Sequence, residues 1–204
     1  MVGLKRAECI NYLTIGGREM TYTTVTDGVD YPQATHINQF ATGLDAIEAA
    51  NWKAHQLFSS VTAAGNVGAG EDDLFSYTLP ASQLSADTQT IAANFAGFII
   101  GHASGTRTIK IYFGGTNIFN SGALAETTNC SWTANVLLIR SSSSAVKYRV
   151  DFVRRTTTSS IAVAAVTGLT LTNTQIFKVT GESSTATDND VTFYMGNGIW
   201  YPAP

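Results

Sequence analysis

The chain has 204 residues and a formal charge of −3, with 13% of its residues charged and 44% hydrophobic. That balance excludes a disordered chain, which pairs low hydrophobicity with high net charge, and a pI of about 5.5 leaves no basic footprint for nucleic acid. Charge is also too thinly spread for clustered acid–base chemistry: between residues 74 and 106 only Asp87 is formally charged, and residues 156–177 hold no charge.

Near the start, Lys5 and Arg6 are followed by Ala7, Glu8 and Cys9 and not by an apolar run, so no secretory leader is expected. The most apolar stretch, residues 95–101, falls far short of the roughly 20 residues of a membrane span. No membrane is expected as partner. Cys9 and Cys130 are too few for a disulfide framework and read as free thiols of a chain made in a reducing cytoplasm. Gly16-Gly17 and Asp27-Gly28 are turn signals around a β-prone stretch from Met20 to Val25, which predicts a hairpin or an extended arm.

The period then changes. Ile37, Phe40, Leu44, Ile47, Asn51, Ala54 and Phe58 are spaced 3-4-3-4-3-4, the rhythm of a coiled-coil seam. Pro32 and Thr35 suit the start of a helix. Gly43 costs it about 1 kcal/mol relative to Ala, so a helix this short needs packing to persist. It can lie on its own sandwich or pair with copies of itself. The second reading makes Ile37, Phe40, Leu44 and Ile47 the candidate oligomer interface. Residues 59–71, small and polar, read as a linker. The expected division is an arm and anchoring helix at 1–58, the linker at 59–71 and a β-sandwich at 72–204.

From there the period is 2. Ile109, Ile111 and Phe113 share one face against Thr108, Lys110 and Tyr112, and Val146, Tyr148, Val150 and Phe152 oppose Lys147, Arg149 and Asp151. Residues 132–140 and 145–152 read as a hairpin across a four-residue serine loop, 141–144. Further strands are expected at 74–79, 90–100, 116–120, 161–166, 175–181 and 190–201. About nine short strands with turn signals between them predict a mainly β chain, an antiparallel sandwich of jelly-roll type behind a short amphipathic helix.

Chemistry-bearing patterns are sparse. Gly65-Asn-Val-Gly-Ala-Gly70 imitates a phosphate loop but lacks the strand before it and the helix after it, and Glu71, Asp72 and Asp73 would repel the anion. Asp188, Asn189 and Asp190 lack the spacing of a calcium loop, and His36, His55 and His102 have no ligand-spaced partners. No metal, no cofactor and no catalytic residue is expected, and the chain is read as non-enzymatic. Trp132, Trp200 and Tyr201 are the candidate glycan contacts, since sugars stack on aromatic faces, although core packing is the commoner use of such residues.

Two groups of residues carry a resemblance. Asp27-Gly-Val-Asp-Tyr-Pro-Gln-Ala-Thr-His-Ile-Asn-Gln39 ahead of an amphipathic helix resembles an element of tailed-bacteriophage virion proteins. Gly65-Asn-Val-Gly-Ala-Gly-Glu-Asp-Asp-Leu74, Tyr77-Thr-Leu-Pro-Ala81, Lys110-Ile-Tyr-Phe-Gly-Gly-Thr116 and Ser121-Gly-Ala123 resemble a jelly-roll module of phage head-fibre, decoration and tail-fibre proteins. The resemblance implies a homotrimeric structural component located in the virion, with other capsid or tail proteins as partners. The alternative is a tail module that recognises a host surface glycan, and a depolymerase is a weaker third.

Overall fold

The computed structural model describes residues 9–15, 18–24, 54–154 and 158–203, and every regular element among them is a β-strand. The expected helix seam at Ile37, Phe40, Leu44 and Ile47 lies outside the described residues. In the arm, β1 (Cys9–Ile15) and β2 (Arg18–Thr24) pair antiparallel, with Ile15 opposite Arg18. Of the two expectations for this region, the hairpin is the one formed.

A compact unit runs from Trp52 to Pro204. Its strands are β3 (His55–Ser60), β4 (Ala64–Gly65), β5 (Gly70–Leu79), β6 (Thr90–Ile99), β7 (Arg107–Phe113) and β8 (Thr116–Asn120). After these come β9 (Cys130–Ser142), β10 (Ala145–Arg154), β11 (Thr158–Val166), β12 (Gln175–Ser183) and β13 (Val191–Tyr201). A seven-stranded sheet has the order β11-β10-β9-β6-β13-β3, with β4 also on β13, and a four-stranded sheet has the order β5-β12-β7-β8. All pairings are antiparallel. The chain is an antiparallel β-sandwich, as its period-2 patterning requires.

Alternation fills the space between the sheets. Arg107, Ile109, Ile111 and Phe113 are buried on β7 while Thr108, Lys110 and Tyr112 stand outward. Val146, Val150 and Phe152 do the same on β10, with Tyr148 half-buried among them. At one side of the core the rings of Phe58, Phe75, Tyr77, Phe95, Phe177 and Phe193 form a continuous cluster, with centroid separations from 4.9 to 6.4 Å. Contacts at these separations add to the burial of aromatic area. Gly114 and Gly115 close the β7–β8 hairpin with φ of 57° and 80°. Two consecutive left-handed residues define the turn that suits strand twist, and glycine adopts them without strain.

The expected organisation needs three corrections. Residues 59–71 are not a linker: the end of β3, all of β4 and the first two residues of β5 lie there. Small residues mislead because β4 is only two residues long and Gly65 is packed against Asn189, where a side chain would not fit. Phe58 does not end a helical seam but is buried in the core from strand β3, with His55 in the same strand. Its ring fills the place where a Cβ at Gly198 would stand. Finally, Ser142 pairs with Ala145, so the β9–β10 connection is a two-residue turn instead of a four-residue loop.

Candidate functional site

The three aromatics expected to touch glycan do not form one surface. Trp132 points inward from β9 and is 1% exposed. Its Nε1 donates to the Thr192 carbonyl at 3.1 Å, its ring stacks against Phe152, and its indole occupies the space beside Gly97. It is a core residue and is unable to reach a ligand. Trp200 is half-buried and inward, its ring 5.4 Å from His55, and its buried Nε1 has no hydrogen-bond partner among the described residues. Tyr201 is exposed on the opposite face of β13. Trp132 pairs with Gly97 and Trp200 with Ile91 along β6, six residues apart, which separates them by about 20 Å.

Charge gathers on the outer face of the smaller sheet. Lys110 on β7 bonds Glu71 of β5 at 2.5 Å and Glu182 of β12 at 2.8 Å, two carboxylates that stand opposite each other on the strands to one side of it. The other oxygen of Glu71 accepts from the Tyr112 hydroxyl at 2.8 Å and from Thr180 at 2.7 Å. Lys178 pairs with Asp73 at 2.8 Å, and its ammonium lies 5.2 Å from the centre of the Tyr112 ring. Burial pushes the Glu71 carboxyl up, but the bonds from Lys110, Thr180 and Tyr112 outweigh it and hold its pKa below the usual value. Hydrogen bonds to Glu182 and Glu71 hold the Lys110 ammonium well above its usual range. Burial, with the neighbouring Glu71 carboxylate, raises the Tyr112 phenol. Each shift deepens the charge state the group already has near neutrality. Such a network binds and stiffens; none of these three groups is brought toward a pKa suited to proton transfer. Beside it lies a groove of about 480 Å³, lined by Glu71, Asp73, Tyr112, Gln175 and Lys178 among others.

A second cluster ties one end of the sandwich. Asp190 is 1% exposed and receives Ser183 at 2.7 Å, Thr185 at 2.9 Å, Arg107 at 3.2 Å and His102 Nε2 at 2.8 Å. Burial raises its carboxyl, and the hydroxyl bonds, the Arg107 charge and the His102 bond more than reverse that, leaving the pKa lowered. Next to it, buried Asn66 bonds the carbonyls of Gly68 and Thr187 and accepts the Val191 N–H. Asp72 and Asp188 accept the N–H groups of Val67 and Gly68. The glycine-rich loop therefore has those two amides already engaged by carboxylates, where a phosphate would have had to sit. No group of three or more His, Cys, Asp or Glu with a metal-holding arrangement occurs among the described residues.

The outer face of the larger sheet is different in kind. Leu137 and Ile139 on β9, Phe98 on β6, Tyr194 and Met195 on β13, and Ile161 and Val163 on β11 are all exposed there. Between them a row of neutral amides, Asn197, Asn94 and Asn135, crosses three adjacent strands in register. Sequence alternation marks these as outward-facing, except that Tyr194 and Met195 are adjacent and both stand outward because the pairing with β6 shifts register there. Their adjacency depends on the strand order β9-β6-β13, which no local pattern carries.

No family model matches the chain, and no curated protein matches it. Among solved structures it is similar to a lectin, UEA-II, determined in complex with galactose, at 10% identity and a TM-score of 0.35, covering 72% of this chain and 86% of that one. It is also similar to a protein of unknown function from Shewanella oneidensis MR-1, at 9% identity and a TM-score of 0.32, covering 87% and 97%. Likenesses this distant carry no argument about function.

Proposed function

We propose that the chain is a non-enzymatic structural component of a bacteriophage virion, a homotrimeric fibre or decoration protein anchored through its N-terminal region. The phage assignment rests on the motif resemblance in residues 27–39 and 65–123. The observation that carries the assembly role is the larger sheet's bare border. Its two terminal strands, β11 and β3, contain no Asp, Glu, Lys or Arg, and Ile161 and Val163 on β11 are 62% and 70% exposed. Soluble monomers guard sheet edges with charge, proline or bulges, and β11, uncharged, with β-branched Ile161 and Val163 exposed and paired to β10 without a register shift, suits a strand that is covered in an assembly. Antibody labelling of purified particles tests the reading. Label on the particle surface, at a copy number divisible by three, is the expected result, and absence of the protein from purified particles would overturn it. The glycan-recognition alternative loses Trp132 as a contact, because that ring is in the core.

A further inference from the structure

The amide row on the larger sheet has hydrogen-bonding capacity that no described residue uses. Register places Ser59, Asn197, Asn94 and Asn135 side by side on β3, β13, β6 and β9. Neighbouring strands lie about 4.8 Å apart, so these four side chains stand on a line about 14 Å long that runs across the strands. Asn94 and Asn135 are exposed and Asn197 is half-buried. None of the three amides bonds another described residue. Each offers two N–H donors and a carbonyl acceptor.

The row also lies in a trough. Asn94 is flanked along β6 by Ala92 and Ala96, whose side chains are too short to cover it. Two hollows open there, one of about 320 Å³ on the Ala96 and Met195 side and one of about 270 Å³ on the Ala92 and Leu137 side. Met195 and Leu137 supply exposed apolar walls. At the far end Arg149 and Asp151 pair with each other at 3.0 Å, so the two opposite charges beside the row leave it no net charge.

We propose that this trough binds an extended chain of neutral sugars. Hydroxyls along such a chain donate and accept in turn, which matches a line of primary amides, and the C–H faces of the rings match the apolar walls. A second copy of the protein fits less well. Its surface would have to satisfy every buried amide at fixed geometry, and each amide left unpaired costs free energy, whereas a polyhydroxylated chain offers partners at many positions. The site rests on side chains of β13, β6 and β9 with Ser59 of the border strand β3, and does not use Ile161 or Val163 of β11, on which the assembly reading rests.

The test is affinity electrophoresis of the full chain in gels containing dextran, laminarin or galactomannan, with mass by light scattering on the same samples. Retarded migration in at least one polymer is expected. Asn94→Ala and Asn135→Ala should each weaken the apparent affinity by about five- to tenfold, with mass unchanged. Thr108→Ala, a charge-neutral change on the outward face of the other sheet, should be retarded as the parent is. Retardation in none of the three polymers overturns the proposal, as does equal retardation of the parent and Asn94→Ala. If Asn94→Ala lowers the mass and leaves migration in polymer unchanged, the face is a contact between copies and the proposal fails.

Discussion

Asp190 shows how one side chain can tie a sandwich together. Its carboxylate joins Arg107 on β7, Ser183 on β12, Thr185 in the following loop and His102 in the β6–β7 loop, directly before β13 begins. Arg107 is fully buried, so removing its partner leaves an uncompensated charge in the interior. Asp190→Ala should cost about 3–5 kcal/mol, read as a fall in the midpoint of urea unfolding; a loss under 1 kcal/mol would mean the pair is not structural. The same residue sets an acid limit. A carboxyl whose folded pKa is below its unfolded value of 3.8 contributes fully above that value, and the contribution is lost as pH falls through the folded pKa. Glu71 acts in the same sense from 4.5. Melting temperature should therefore fall on acidification below about pH 4.5, and Asp190→Ala should flatten the fall; an equally steep profile in the variant would assign it to other groups. In the sequence Asp190 was legible only as a carboxylate without calcium-loop spacing at the head of the last strand. Its role depends on residues 83 and 88 positions away, a separation that local pattern cannot carry.

At the scale of elements, strand alternation was legible almost to the residue from Arg107 onward, because one buried face forces a period of 2. The strand β3 was not. Its sequence, His55-Gln-Leu-Phe-Ser-Ser60, continues a 3-4 apolar spacing that begins at Ile37, and six residues are too few for periodicity to decide between helix and strand. What decides is tertiary: Phe58 packs on Phe75, Tyr77 and Phe95 across the two sheets, and Gly198 opens the space it needs. Phe58→Ala should cost about 3–5 kcal/mol, measured by denaturant unfolding. The consequence for fragments is sharper. A chain beginning at residue 52 should be soluble and melt cooperatively, while one beginning at residue 60 lacks the β3 partner of β13 and should aggregate or melt far lower. Equal melting of the two fragments would show that β3 is dispensable.

For the whole molecule, composition and edges point the same way. A chain with only 13% charged residues and an uncharged border on its larger sheet suits a protein that meets copies of itself. The seam expected from the spacing of Ile37, Phe40, Leu44 and Ile47 is the proposed place of that meeting. In a symmetric trimer Leu44→Asp puts three carboxylates near one axis, where desolvation and mutual repulsion cost several kcal/mol. The variant should lose self-association and keep a β-rich, cooperatively melting sandwich, whereas Asp45→Asn, off the stripe, should change little. Unfolding of the sandwich in Leu44→Asp with the oligomer intact would place the helix against its own subunit.

Trimerisation is tested most directly by the mass of the full chain in solution. Light scattering coupled to size exclusion, at micromolar concentration, should give three times the 21.7 kDa of one chain. A mass of one chain at that concentration would contradict the account.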